Sequence, residues 1–473
     1  MKVEQIYTGC LAHGAYYLES NGEAAVIDPL REPESYIELA ESRGAKIKYV
    51  FETHFHADFV SGHIDLAAKT GAIIVFGPTS METGFEAHIA KDGEEFKLGN
   101  ATIRLIHTPG HTMESSCFLL INEEGKEEAL FTGDTVFIGD VGRPDLAQKV
   151  IADMTQDKLA RHLYHSIHNK ILPLSDDLIV YPGHGAGSAC GKNMSKETSD
   201  TLGNQKKTNY ALRADMGEEE FVKELLTGLT PPPGYFPHNV IMNIKGYESI
   251  DTVRERALKG LTASEFKAAA YADGTVVLDT RSAADFAVGH VPGAVNVGID
   301  GSFASWVGTV IPDVNTPIVL VVDADRLDEV VTRLSRVGFD KVNGYLNGGI
   351  STWAAAGYPV AKVEQIDADQ LSELINKGED HVIDVRRASE YGSEHIVNVE
   401  NHPLDYWKEA LPALNKDERY YVHCAGGYRS MVFISLLMRE GYLNLVDVKG
   451  GFSAIKNSGK VKVTDYVCPT TLL

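Results

Sequence analysis

Tyr49-Val50-Phe51-Glu52-Thr53-His54-Phe55-His56-Ala57-Asp58-Phe59 is the stretch that decides the architecture of the first half of this chain. It opens on an apolar, β-prone run and turns polar at once. His54, His56 and Asp58 then stand two residues apart. In an extended segment such residues project to one side, so two imidazoles and a carboxylate can converge on one metal ion. Three further places repeat the device: Thr108-Pro109-Gly110-His111-Thr112, Thr132-Gly133-Asp134-Thr135 and Pro182-Gly183-His184-Gly185. Each follows an apolar run and sets a glycine beside a His or Asp. Glycine there lets the backbone turn sharply and come close to a bound ion.

Outward from that stretch, Ala24–Ile27, Ile73–Phe76, Ile103–Ile106, Ala129–Phe131 and Leu178–Tyr181 read as strands, as does Tyr49–Phe51. They alternate with helical or loop segments, which is an α/β pattern. Pro231, Pro232, Pro233 and Gly234 mark the approach to a boundary. The second half then repeats itself. Val277-Leu278-Asp279-Thr280-Arg281 is echoed by Val382-Ile383-Asp384-Val385-Arg386, and His290 by His395, both at an offset of 105 residues. Gly348-Gly349 is echoed by Gly450-Gly451-Phe452. Two copies of one α/β unit of ~100 residues follow. With 473 residues in all, the division expected is 1–245, 260–362 and 365–473.

The motifs T-H-x-H-x-D, P-G-H-T, G-D-T and G-H-G together resemble the metallo-β-lactamase superfamily over residues 1 to about 240. The resemblance implies an αββα sandwich with a metal at one edge of the paired sheets. That superfamily typically carries H-x-H-x-D-H, whose last two residues serve a second metal; here the last position is Phe59. Phenylalanine has no lone pair to offer, which favours a single metal. The resemblance narrows to the persulfide dioxygenases, and it implies one Fe(II) per chain on His54, His111 and Asp134. Two imidazoles and one carboxylate leave open positions on such an ion for dioxygen and a substrate sulfur. His56, Asp58 and His184 would orient these ligands or move protons. Arg143, in Gly142-Arg143-Pro144-Asp145, would bind the carboxylate of the thiol substrate, as guanidinium does bidentately. Cys190, in a loop of small residues after His184, would hold sulfur near the metal.

In the last repeat, Tyr420-Tyr421-Val422 delivers His423-Cys424-Ala425-Gly426-Gly427-Tyr428-Arg429-Ser430, followed by the apolar run Met431–Met438. A cysteine at the end of a strand, with glycines before a helix, can receive consecutive backbone N–H groups on its sulfur. The helix N-terminus and Arg429 would add positive potential and favour the thiolate. The segment looks like the C-x4-R loop of the rhodaneses, with Asp384, Arg386, Glu390 and His395 matching the upstream pattern. The resemblance implies that Cys424 carries sulfane sulfur, with Arg429 and the loop Ala425, Gly426, Gly427 and Tyr428 around it. In the middle copy Ile318–Val322 leads instead into Asp323-Ala324-Asp325-Arg326. An aspartate cannot form a persulfide, so this rhodanese-like domain is expected to be silent.

Composition narrows the field. Acidic residues outnumber basic ones by 66 to 44, for a net charge of −22, which disfavours nucleic acid and anionic membranes as partners. No segment approaches the ~20 apolar residues of a membrane span, and Met1–Cys10 lacks the features of a secretion signal. A cytoplasmic homo-oligomer is expected. The 5 cysteines are widely spaced with no C-x-x-C pair, which argues against a disulfide framework or structural zinc; Cys10, Cys117 and Cys468 read as packing or tail residues. The small-molecule partners implied are a low-molecular-weight persulfide, O2, sulfite and thiosulfate. Two other readings stay open: a zinc thioester hydrolase of the glyoxalase II type with a sulfurtransferase appendage, and a non-catalytic sulfur carrier or sensor.

Overall fold

The computed structural model describes residues 1–146, 154–229, 231–378 and 381–468. They form two compact units. The first is Met1–Val253 with Pro312–Val314 and Thr332–Asp340; the second is Arg254–Ile311, Asn315–Val331 and the chain from Lys341 onward.

Two six-stranded sheets make the centre of the first unit. One runs in the order Lys2–Thr8, His13–Ser20, Glu23–Ile27, Lys46–Phe51, Ile73–Phe76, His88–Ile89. The other runs Asp200–Thr201, Ile179–Pro182, Glu127–Gly133, Ser116–Ile121, Ala101–His107, Glu95–Leu98. Tyr16, Ile27 and Phe51 of the first sheet meet Phe118, Leu120 and Phe131 of the second in one buried cluster. The opposite faces are covered too. Tyr17, Val26 and Val50 lie against Tyr36, Ala40 and Leu66 of the helices Glu34–Ser42 and His63–Thr70. Leu119, Leu130 and Val180 lie against Leu163 and Phe221 of Gln156–Ser166 and Glu218–Leu226. Burial on both faces explains why these strands read as continuous apolar runs rather than alternating ones. The result is an αββα sandwich.

The second unit holds two five-stranded parallel sheets. Gly260–Leu261, Val342–Leu346, Ile318–Val321, Val276–Asp279 and Val295–Asn296 form one. Glu364–Ile366, Leu445–Val448, Tyr420–His423, Val382–Asp384 and Glu400–Asn401 form the other, in the same topological order. The internal repeat seen in sequence extends to atoms. Arg281 Nε donates to Asp279 Oδ1 at 2.9 Å, and Arg386 Nε to Asp384 Oδ1 at 3.0 Å. His290 stacks on Phe286 and His395 on Tyr391, with centroids 3.7 and 3.8 Å apart. Asn296 Nδ2 donates to the carbonyls of Asp279 and Arg281, and Asn401 Nδ2 to those of Asp384 and Arg386. Among the described residues no helix is long and apolar enough to cross a membrane.

The asparagine clamp is a stability element in both copies. Asn401→Leu strands the Asp384 and Arg386 carbonyls, an expected loss of about 1–3 kcal/mol. Calorimetry on the whole chain should show a lowered transition for the second unit; an unchanged thermogram would contradict the clamp.

Candidate functional site

The loops that follow the central strands of both sheets meet at one edge of the sandwich. His54 leaves the strand Lys46–Phe51, and its Nδ1 is 3.0 Å from Thr53 Oγ1. Thr53 is itself fixed by Asp28, which accepts from its N–H at 2.7 Å and its hydroxyl at 2.8 Å. Asp28 has φ 50° at the end of Glu23–Ile27. His111 follows Ala101–His107 and donates from Nδ1 to the Arg143 carbonyl at 2.8 Å, which leaves Nε2 as the lone-pair donor. Asp134 follows Glu127–Gly133. One ligand atom from each of His54, His111 and Asp134 lies within 4.8 Å of the others, all three residues being buried.

Close backbone approach makes this convergence possible. Gly133 has φ +49°, and a Cβ there would stand 2.5 Å from Thr53 Cβ. A Cβ on Gly142 would stand 2.0 Å from the Asp134 carbonyl oxygen and 3.0 Å from His111 Nδ1. Only glycine fits either place.

His56 takes a different direction. Its Nε2 is 3.2 Å from Asp28 Oδ1 and 3.4 Å from Glu52 Oε2, and the three residues form another buried group that could hold a metal ion. The Phe59 ring packs on it at 4.3 Å between centroids and on His13 at 4.3 Å. Asn243 Nδ2 holds this turn closed, donating to the His56 carbonyl at 2.8 Å and the Phe59 carbonyl at 2.9 Å. His184, after Ile179–Pro182, has Nε2 3.3 Å from Asp58 Oδ2 and 3.6 Å from Asp134 Oδ1. Asp58, His184 and Cys190 form a further buried group of potential ligands.

The electrostatics fit a cation. No N–H or O–H reaches either oxygen of Asp134, although both are buried. Burial, then the charge of Asp58, holds its carboxyl well above the usual range. Burial pulls the imidazoles the other way: His111 and His184 fall to about 4, and His54 falls well below its ordinary value. Neutral imidazoles beside a buried carboxylate whose one neighbouring donor is the weak Cys190 thiol are a ligand set suited to a positive charge. The donors suit iron or zinc.

Cys190 is buried, and desolvation together with Asp58 and Asp134 pushes its thiol well above its usual range. Arg143 is buried as well. Its guanidinium grips Asp145 through Nε at 2.7 Å and Nη2 at 2.6 Å, and Nη1 reaches the Ala189 carbonyl at 3.3 Å. Cys117 is buried between Thr108 and Thr132, whereas Cys468 is exposed. Asp28, Glu52, His13 and Asn243 were absent from the residues singled out in sequence. Asp28 carried a readable signal, a carboxylate directly after the apolar run Ala24–Ile27; His13 and Asn243 carried none.

In the second unit Cys424 ends the strand Tyr420–His423, and the helix Tyr428–Arg439 begins after Gly427 at φ +102°. Gly427 N–H donates to Cys424 Sγ at 3.1 Å, and Ser430 Oγ is 3.8 Å from the sulfur. The Arg429 guanidinium makes bonds of 2.6 and 2.8 Å to Glu390, and it also interacts electrostatically with Cys424. In the middle copy a short 3-10 turn, Ala324–Arg326, runs straight into the helix Leu327–Arg336.

Comparison with known proteins agrees with this anatomy. Residues 8–184 match the metallo-beta-lactamase superfamily, and residues 262–356 and 367–458 each match the rhodanese-like domain. A metallo-beta-lactamase from Staphylococcus aureus subsp. aureus COL, known by crystal structure, is 30% identical with a TM-score of 0.63. That similarity covers 73% of this chain and 98% of the other. The cytoplasmic hydroxyacylglutathione hydrolase of Arabidopsis thaliana is 32% identical over 37% of this chain and 65% of its own length. The probable hydroxyacylglutathione hydrolase glo2 of Schizosaccharomyces pombe is 30% identical over 34% of this chain and 58% of its own length. The chain thus spans less than two thirds of these two curated relatives. This protein belongs to the metallo-beta-lactamase superfamily, and two rhodanese-like domains follow its lactamase-type domain.

Gly142→Ala tests the close approach. The added methyl should push the Asp134 and His111 loops apart and lower the metal content of purified protein by ~10-fold. Elemental analysis by plasma mass spectrometry reads this out, and wild-type content in the variant would contradict the geometry.

Proposed function

We propose that this protein oxidises low-molecular-weight persulfides with O2 and water to sulfite and the parent thiol at a single iron ion, and that Cys424 couples this to sulfur transfer. The observation that carries the reading is the pairing of Phe59 with a His56 turned toward Asp28 and Glu52. It favours one ion on His54, His111 and Asp134 over a bridged pair. Iron held there would supply the redox chemistry of dioxygen, which zinc lacks.

The chain's own groups have defined tasks in this reading. Thr53 and the Arg143 carbonyl fix the two imidazoles so that one nitrogen of each faces the centre. His184, placed between Asp58 and Asp134, holds or passes a proton at Nε2. Cys190 is a resting place for sulfur on the wall beside Asp134. Arg143 offers its guanidinium to the substrate's carboxylate in competition with Asp145. At the other site sulfite attacks the terminal sulfur of a Cys424 persulfide. The bond to Sγ breaks, Sγ leaves as thiolate, and thiosulfate forms without net oxidation. The reverse reaction loads Cys424 from thiosulfate. Joining both activities in one chain raises the local concentration of each product at the other site.

A second reading rests on a specific observation. Asp58, His184 and Cys190 could hold a second ion beside Asp134, as a thioester hydrolase would need, and both curated relatives carry hydrolase names. The two readings separate in one experiment. With iron-loaded protein and glutathione persulfide, an oxygen electrode should record uptake matched by sulfite. Asp134→Ala should abolish it, and Cys424→Ser should keep oxygen uptake while losing thiosulfate. Thioester cleavage without oxygen uptake would support the hydrolase instead.

A further inference from the structure

The last repeat buries a carboxylate behind its cysteine. Asp447 stands on the strand Leu445–Val448 and is only 1% exposed. Its Oδ1 accepts from Ser430 Oγ at 2.7 Å, and its Oδ2 from Gln365 Nε2 at 2.8 Å. Ser430 is buried in turn, and its Oγ accepts from the Cys424 thiol at 3.8 Å. Thiol, hydroxyl and carboxylate form one hydrogen-bonded line, each donating to the next. The sulfur also receives the Gly427 N–H at 3.1 Å.

The silent repeat shows what the fold itself needs. Val422 pairs with Asp447 in one sheet and Leu320 with Tyr345 in the other, so Tyr345 takes the place of Asp447. Gly260 takes the place of Gln365, since these two pair with Tyr345 and Asp447 in turn. The Asp–Arg pair, the ring stack and the asparagine clamp are present in both copies. The buried acid is present only beside the thiol. A carboxylate costs free energy to bury, and the copy without the cysteine does without it.

Burial raises the Asp447 carboxyl above its ordinary value, and the bonds from Ser430 and Gln365, with the charge of Lys449, draw it partly back. The other charges around the line are Arg429, which acts on Cys424 and is paired with Glu390, and His423, whose Nε2 lies 3.9 Å from Asp384. A carboxyl held up in this way suits a group that takes a proton from a thiol and gives it back.

We infer that Asp447 is a positioning residue of the carrier cysteine: through Ser430 it takes the proton of the Cys424 thiol and holds it while sulfur is loaded. This rests on the reading of Cys424 as a sulfur carrier. The thiolate so formed attacks the sulfane sulfur of thiosulfate. A bond forms from Sγ to that sulfur, the S–S bond of thiosulfate breaks, and sulfite leaves with the electron pair. There is no net oxidation. On unloading to sulfite, Sγ leaves as thiolate and the proton returns from Asp447 through Ser430. The buried site keeps one negative charge throughout. Because one proton is shared by thiol and carboxyl, the thiolate fraction is constant over the pH range in which the pair holds that proton.

The test measures, on the full chain without oxygen, how fast Cys424 gains one sulfur from saturating thiosulfate, read by mass spectrometry between about pH 6 and pH 8. The wild-type rate should be flat. Asp447→Asn still accepts from Ser430 but takes no proton, so its rate should rise ~10-fold per pH unit. Ser430→Ala cuts the line and should slow loading ~10²-fold near the acid end, and Ser430→Thr, which keeps the hydroxyl, should restore the wild-type rate. Iodoacetamide in place of thiosulfate should give the same profiles, because alkylation needs the thiolate and no sulfur transfer. A flat profile in Asp447→Asn, or a wild-type rate in Ser430→Ala, would overturn the inference. A wild type that takes no sulfur from thiosulfate, yet shows the iodoacetamide profiles, would overturn the carrier reading alone.

Discussion

His56 is boxed in. Two buried carboxylates, Asp28 and Glu52, stand on one side of its ring, and the Phe59 ring packs against it. A histidine at this position of an H-x-H-x-D motif is free to join a metal only if nothing else competes for it. Here Asp28 and Glu52 stand 3.2 and 3.4 Å from its Nε2, although neither ring nitrogen makes a hydrogen bond. Burial raises Asp28 to about 6, and burial with the charge of Asp28 pushes Glu52 well above its usual range. His54 with His111 and Asp134, Asp58 with His184 and Cys190, and His56 with Asp28 and Glu52 are each a buried set that could hold a cation.

This constraint organises the rest of the first unit. Asp28 serves two ends at once, since it also accepts both hydrogen bonds from Thr53 and so aims His54. The glycines at 133 and 142 let two loops from the other sheet come within contact of that assembly. The sandwich supplies a rigid edge, and the chemistry is set by the few residues standing on it. The second unit uses a related economy. One fold occurs twice, with the same Asp–Arg pair, ring stack and asparagine clamp, yet a single copy keeps the thiol.

Much of this was legible in the sequence because the signals are local. An apolar run that ends in Gly-His or Gly-Asp marks both a strand and the loop that turns a ligand toward the centre, and Phe59 announced the missing imidazole. The repeat was readable at Asp279 and Asp384, and the same offset would have exposed Asn296 and Asn401. What stayed hidden depends on contacts between distant segments. Nothing near Arg429 in the chain reveals that Glu390 will bond its guanidinium, nor does the Arg143 segment tell whether Asp145 or a substrate holds the guanidinium. The turn that carries His56 is likewise held by Asn243, from the far end of the first unit, through the His56 and Phe59 carbonyls.

The number of metal ions at the edge of the sandwich tests the account most directly. Anomalous diffraction at the iron edge, on crystals of iron-loaded full-length protein, should give one peak at about 2.0–2.2 Å from donor atoms of His54, His111 and Asp134. Two peaks bridged by Asp134, with His56 swung away from Asp28 and Glu52 to bind one of them, would contradict it.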